Sequence, residues 1–338
     1  MGQQMVSLRV VKHGTGIHLT YGDVDLAFDA GIRGTPTLLS HAHADHIGGL
    51  ELANHVIATK GTRDTFLARG GRINARSSLI KFGETIGQVG VYITAMNAGH
   101  VLGSTMYKLE FEDEMTVLYT GDFNVVDSVV HNGAVPTDAD VLIMEATYGT
   151  PRWKFPIRTK VHEQILDTAR DLIEWGKIPL FQAYSLGKAQ EAIALLRNAG
   201  ITVISGNPAI DLVSDVYMAH GKNLDYISIS SGDAKEALKA GCAIVSSSPK
   251  FTMSNIGKAL GTSYRKDLTR RMERYNLSGW TLGEIKNSGF PLSAHTDFPN
   301  LVGFAEKVNP KIVYCFTSNA GELSGHLSKH GINAVPLE

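Results

Sequence analysis

His41-Ala42-His43-Ala44-Asp45-His46 packs three imidazoles and one carboxylate into six residues. Imidazole nitrogen and carboxylate oxygen are ligands that Zn²⁺ accepts at about 2.0–2.2 Å. The run leading in, Thr37-Leu38-Leu39-Ser40, is short and apolar and reads as the end of a buried strand. If the extended backbone continues through His41 and His43, alternate side chains share a face and can hold one ion. Asp45 and His46 then fall where Ile47-Gly48-Gly49-Leu50 begins, turned toward a second ion. Two surface histidines beside a helix start are the plainer alternative. Four ligand-type residues in six positions after a strand favour a metal cluster instead.

Around this motif the chain looks like an ordinary globular protein. Of its 338 residues 43% are hydrophobic and 19% charged, with a formal net charge of −1, so general nucleic-acid affinity is not expected and any such partner must meet a local patch. No apolar run approaches the roughly 18 residues of a membrane helix. Met1-Gly2-Gln3-Gln4-Met5 has no basic stretch before an apolar core, so no signal peptide is expected. The two cysteines, Cys242 and Cys315, lie in apolar strings, which implies buried thiols and a cytoplasmic setting.

Residues 6–30 alternate between apolar and polar positions around Gly14, Gly22 and Gly31, which predicts consecutive strands. Further strands are expected at 91–95, 105–111, 115–120 and 140–145, and helices at 43–53 and 60–69. From about residue 157 helices (159–175, 187–199, 207–220) alternate with apolar strands (178–182, 201–204, 242–246), the pattern of a parallel, helix-covered sheet. Strand and helix return at 299–330. A strand-rich domain interrupted by an α/β insertion accounts for this order.

A two-metal site needs more ligands than one motif holds. Ala98-Gly99-His100-Val101-Leu102-Gly103-Ser104 sets a histidine in a glycine-flanked turn, Thr120-Gly121-Asp122-Phe123 a carboxylate at a strand end, and Ser293-Ala294-His295-Thr296-Asp297 a late histidine in a loop. Each alone also fits a turn or a structural histidine.

The ordered series Asp29, His41/His43/Asp45/His46, His100, Asp122 and Glu145 resembles the metallo-β-lactamase superfamily. The strings A-G-H-V-L-G-S, Glu145-Ala146-Thr147-Tyr148-Gly149 and S-A-H-T-D resemble its β-CASP nuclease branch. The resemblance implies an α/β fold: a metallo-β-lactamase αββα sandwich over 1–146 plus 291–338, with a β-CASP cap inserted at 147–290. It implies that His41, His43 and His100 bind one zinc, Asp45, His46 and His295 the other, with Asp122 bridging. Asp29 would orient a ligand histidine without touching metal, and Glu145 would organise the site beside Asp45 and Asp122. Two Zn²⁺ are the expected cofactors because imidazoles suit zinc better than Mg²⁺; Mn²⁺ also fits. Two ions about 3.5–4 Å apart can activate water and stabilise both oxygens of an in-line phosphodiester displacement.

The insertion carries candidate phosphate contacts. Ser185, Gly187 and Lys188 enter helix 187–199, and Ser247 and Ser248 follow a strand; with Ser104 they form the expected phosphate-binding set. An ordinary capped helix and a polar loop fit these strings equally. Basic residues interleave with aromatics at 152–160 and 264–275, which suits stacking on single strands, though a solvated helix face would read the same way.

Tyr148–Pro156, Tyr184–Lys188 and Ser278–Thr281 resemble DNA-directed members: the Artemis-type repair nucleases and the exonucleases found beside DNA ligases. S-A-H-T-D is also similar to the cleavage-and-polyadenylation and RNase J-type ribonucleases. Two histidines usual in RNA-directed members are not found here: none stands between His220 and His295, and Phe316-Thr317-Ser318 replaces a His-Gly pair. The resemblance therefore implies a zinc-dependent DNA exonuclease preferring single strands over RNA, working with a DNA ligase or repair partners and away from membranes. It leaves the leaving-group proton donor open, with a metal-bound water or Lys188 as candidates. A β-CASP ribonuclease is the alternative, followed by a small-molecule hydrolase and a non-catalytic binding protein.

Overall fold

Alternating burial along short strands builds both sheets of the first of two units. The computed structural model describes residues 7–73, 75–260, 262–283 and 289–337, with side chains except at 258–260, 262–265 and 283. The N-terminal stretch read for a leader, and Tyr264 and Arg265 of the basic patch, lie outside the described residues and side chains. The first unit comprises Met1–Asp127, Asn132–Lys154 and His295–Glu338; the second comprises Ser128–His131 and Phe155–Ala294.

In the first unit Arg9–His13, Gly16–Tyr21 and Val24–Phe28 run antiparallel, and Pro36–Leu38, His55–Ala58 and Arg76–Leu79 continue the same sheet in parallel. Ile17 lies opposite Phe28 and Leu19 opposite Leu26, so the apolar face of the meander points one way. A second sheet begins with the antiparallel strands Thr85–Gln88, Val91–Asn97, Thr105–Phe111 and Thr116–Tyr119. It ends in the parallel strands Val141–Glu145, Ile312–Phe316 and Ala334–Pro336. The inward side chains of both sheets form one core, with the Phe28 and Tyr119 rings 4.3 Å apart. Helix Ala320–Lys329 packs on the C-terminal strands, and Phe304 of helix Phe298–Val308 meets Phe123 at 4.5 Å. This is the mixed α/β sandwich expected.

The expected helix over 43–53 is not formed. Two single 3₁₀ turns, Ala44–His46 and Leu50–Leu52, stand in its place. Between them Gly48 pairs with Ala30 and accepts from the Gly31 N–H at 2.9 Å, so this backbone bonds to a neighbouring segment instead of its own preceding turn. Strand His55–Ala58, which is not among the expected strands, follows.

The second unit is a parallel sheet in the order Ile227–Ser228, Val203–Ser205, Ala243–Ser246, Ile178–Gln182, Met272–Leu277, Gly289–Phe290. Met272–Leu277 was not anticipated; its Glu273 and Arg274 mask the strand signal. The unit boundaries fall at Phe155 and Ala294, some residues inside the expected 147 and beyond the expected 290. Cys242 and Cys315 are free and buried, and burial pushes each thiol up to about 12. Among the described residues no helix is long and apolar enough to cross a membrane.

One ion cluster stiffens the second unit from inside. Arg158 grips buried Glu191 through Nε at 2.9 Å and Nη2 at 2.5 Å, donates from Nη1 to the Ser293 carbonyl at 2.8 Å, and His162 Nε2 lies 3.0 Å from the same carboxylate. Burial alone would raise the Glu191 carboxyl, but Arg158 and the hydrogen bond from His162 outweigh it and hold it at about 2. The depressed value means this stabilisation is present above the ordinary carboxylate range and is lost as pH falls toward about 2. Glu191→Gln strands a buried guanidinium and is expected to cost about 3 kcal/mol or more at neutral pH, with a smaller gap from wild type near pH 3, read by chaotrope denaturation.

Candidate metal centre

Every residue of the first motif, with His100, Asp122 and Glu145, sits at a strand end or in the turn after one, and His295 lies in the loop before helix Phe298–Val308, all within the first unit. His41 follows strand Pro36–Leu38 by three positions and is fully buried. His43 keeps an extended backbone (φ −71°, ψ 154°) before the chain turns, so the alternation expected for H-x-H holds. His41 Nε2 and His43 Nδ1 approach to 3.0 Å, and His43 Nδ1 and His100 Nε2 to 3.1 Å. Asp122 Oδ2 lies 3.6 Å from His41 Nε2 and 3.8 Å from His100 Nε2.

Three imidazole nitrogens converging on one point is an arrangement that a cation explains. Tetrahedral ligands at about 2.0–2.1 Å from zinc stand about 3.3–3.4 Å from one another, close to the observed separations. Asp122 Oδ1 is buried with no hydrogen-bond partner, so this carboxylate has an unused acceptor in the same place. Burial, and then the charge of neighbouring imidazoles, hold His41 well below its ordinary value, which keeps it in the neutral form a metal needs. The residues fit a divalent metal: His41, His43, His100 and Asp122 form one group with ligand atoms within 4.8 Å of each other.

Asp122 also faces a second group. His46 Nε2 stands 3.3 Å from Asp122 Oδ2 and 3.9 Å from Asp45 Oδ2. The Asp45 side chain is 74% exposed, whereas His46 and Asp122 are buried. Burial works against charge on His46, but Asp122 and then Asp29 overcome it and raise the imidazole well above its usual value. Reciprocally, His46 and then His295 hold Asp122 well below the carboxylate range despite its burial.

The ring atoms facing away from the centre are held by the protein. Ser40 Oγ lies 2.9 Å from His41 Nδ1, and Asp29 Oδ2 lies 2.8 Å from His46 Nδ1. Asp29 also accepts from the Ser40 N–H at 2.6 Å, the Ser40 hydroxyl at 2.5 Å and the Tyr119 hydroxyl at 2.7 Å. Its backbone is left-handed (φ 55°), a conformation Asp tolerates better than most residues. Ser40 and Tyr119 were missed by sequence reasoning; the serine preceding the first ligand histidine was the available signal.

With Asp122 and Glu145, His295 forms a third group that could hold an ion. Its Nδ1 lies 3.0 and 3.1 Å from the two Glu145 oxygens and 3.9 Å from Asp122 Oδ2. Glu145 in turn accepts from the Phe123 N–H at 2.9 Å, so one carboxylate spans the Asp122 loop and the late histidine. The rest of S-A-H-T-D is structural: the Thr296 N–H donates to the Phe123 carbonyl, and Asp297 caps helix Phe298–Val308.

Ser104 is corrected from the expected phosphate set. It is fully buried, and its hydroxyl accepts from the N–H groups of His100 (3.0 Å) and Val101 (3.1 Å), locking the turn that carries the histidine. Gly103 closes this turn at φ +79°, where a Cβ would stand 2.2 Å from the Thr62 nitrogen. In the second unit, Gly187 is corrected too: its N–H is taken by Gln190 Oε1 at 2.8 Å. Lys188 is buried with its ammonium 4.6 Å over the Tyr184 ring. The Ser247 N–H donates to Asn207 and the Ser248 N–H to Ser246, so these backbone donors serve the loop itself; Ser185, two residues before Gly187, is half-buried, its carbonyl accepting from Gln190.

Residues 34–200 match the model of the beta-lactamase superfamily domain. The chain is 27% identical, over 96% of its length, to a protein of Opitutus terrae named "Probable DNA ligase", of which it covers 30%. It is 28% identical, over 47% of its length, to "RNase aCSPSF2" of Saccharolobus solfataricus, of which it covers 37%. The matched domain is that of the metallo-β-lactamase superfamily, and the curated relatives are β-CASP members. The chain thus spans about a third of the length of these curated relatives. A solved structure described as a protein of unknown function from Enterococcus faecalis shares the fold across 97% of both chains, with a TM-score of 0.65 at 12% identity.

Asp29→Asn keeps the shape but weakens the acceptor that aims His46. Metal affinity is expected to fall about 10- to 100-fold, measured by competition with a chromogenic chelator, with the fold retained by circular dichroism.

Proposed function

We propose that this chain is a β-CASP member and a metal-dependent nuclease that hydrolyses phosphodiester bonds of single-stranded DNA, with zinc at the His41/His43/His100/Asp122 group and at Asp45/His46/Asp122. The observation that carries this reading is the convergence of imidazoles at one end of the sandwich on Asp122, whose Oδ2 faces them and whose Oδ1 is buried without a hydrogen-bond partner. Bound there, a pair of divalent ions would supply Lewis acidity, lower the pKa of water and draw a phosphodiester anion. Imidazole-rich donors favour zinc, and manganese would also be accepted.

The chain's own residues do the rest. Asp29 and Ser40 aim His46 and His41, and Asp122 faces both groups. Glu145, by facing His295 Nδ1, supports giving His295 the proton for the leaving oxygen at its other ring nitrogen, in place of the second-ion role first expected. The burial of Lys188 against Tyr184 argues against the lysine as that donor.

DNA is favoured because the likeness to the protein named as a DNA ligase covers 96% of this chain, against 47% for the protein named as an RNase. The same likeness supports a ligase or other repair enzyme as partner, and the two buried free thiols support a cytoplasmic setting. The RNase-named relative keeps a β-CASP ribonuclease as the second reading.

End-labelled single-stranded DNA and RNA, incubated with protein and zinc or manganese, are expected to show cleavage of DNA above RNA. Preference for RNA overturns the DNA assignment, and cutting of neither overturns the nuclease. Asp122→Asn should abolish cleavage with little loss of oligonucleotide binding. His295→Ala should lower kcat about 10²- to 10⁴-fold with metal content unchanged; loss of metal instead returns His295 to the ligands.

A further inference from the structure

The second unit has a site of its own at the carboxyl ends of its parallel strands. Ile178–Gln182 comes first in the chain but lies inside the sheet, with Ala243–Ser246 on one side and Met272–Leu277 on the other. The chain leaves Ile178–Gln182 toward one edge, builds three strands there, then crosses to Met272–Leu277 and the other edge. Where successive connections diverge in this way, the strand ends part into a crevice, the usual ligand position in open α/β sheets.

A cleft of about 310 Å³ occupies that place, lined by Gln182, Tyr184, Ser247, Asn276, Ser278 and Trp280. It falls within the range of small-molecule sites. Its walls combine two chemistries. Tyr184 and Trp280 are 65% and 41% exposed, an uncommon state for such large rings. Lys188 Nζ lies over the Tyr184 ring, and the 3₁₀ turn Gly279–Gly283 carries Trp280, whose backbone N–H donates to Ser278 Oγ at 3.3 Å. Apart from Ala183 and Leu277, the remaining lining is amide and hydroxyl, which suits the donor and acceptor edge of a planar heterocycle. Positive charge stands nearby, with Arg274 donating to Gln182 and Lys188 over Tyr184.

We propose that this cleft holds a nucleobase of a single-stranded substrate against Trp280 and Tyr184, as a holding subsite carried wholly by the inserted unit. Stacking presents a π-face common to every base, so the subsite is tolerant of sequence. Arg274 and Lys188 supply attraction for the flanking phosphates. A protein partner would be expected on a flatter, more apolar patch. The inference rests on the nuclease reading and adds to it a subsite on the inserted unit.

The test is fluorescence anisotropy of labelled oligothymidylate in chelator, against an abasic strand of equal length. Trp280→Ala is expected to weaken binding of the thymidine strand about 5- to 150-fold. It should leave the abasic strand unaffected, and Trp280→Phe should recover most of the loss. Tyr184→Ala, at a separate exposed position, should behave like Trp280→Ala. Equal effects on both strands, no effect on either, or a phenylalanine variant as weak as alanine overturn the subsite. If wild type cuts oligonucleotides normally while these results appear, the nuclease reading stands and only the subsite falls. If wild type neither binds nor cuts any single strand, the nuclease reading itself fails.

Discussion

The Asp29 carboxylate is the contact on which the first unit's functional end depends. It is fully buried and follows strand Val24–Phe28 of one sheet, while Tyr119, which donates to it, ends strand Thr116–Tyr119 of the other. Ser40 donates twice and His46 faces it from the turn that follows. An uncompensated buried carboxylate would cost several kcal/mol, and charge-assisted hydrogen bonds from four groups offset that cost. The same bonds tie the two sheets to the histidine motif, so disturbing the sheets' mutual position would disturb His46.

That arrangement makes the ligand geometry a property of the protein. His41, His46 and His295 each have one ring nitrogen at a serine or carboxylate, which leaves the direction of the other set before any ion arrives. Clustering imidazoles is unfavourable when they are charged; burial and mutual repulsion push His41 down, while Asp122 and Asp29 push His46 up. A cation among these imidazoles and carboxylates would relieve this conflict, and Asp122 Oδ1 is a buried acceptor without a partner beside it.

The inserted unit solves a different problem. Its sheet is parallel and its core is built of Ile178, Leu180, Ile204 and Ile244 with helix residues such as Leu238 and Leu268. Continuous apolar strands of this kind are buried on both faces and leave their ends as the exposed, loop-built surface.

Local sequence was enough for much of this. Four ligand-type residues in six positions, each in a short strand-to-turn string, announced the centre because metal chemistry restricts which side chains are worth clustering. Alternation along 9–28 and 105–119 made the strands legible, since burial on one face demands it. What sequence alone could not decide was any pairing across the fold. His295 beside Glu145, Tyr119 beside Asp29, and the strand ends that meet at Trp280 are separated by tens to hundreds of residues or hidden by polar neighbours. Gly48 bonding to Gly31 undid the expected helix for the same reason. A side chain's type is local information, but its hydrogen-bond partner is chosen by packing, and only the tertiary structure brings the two together.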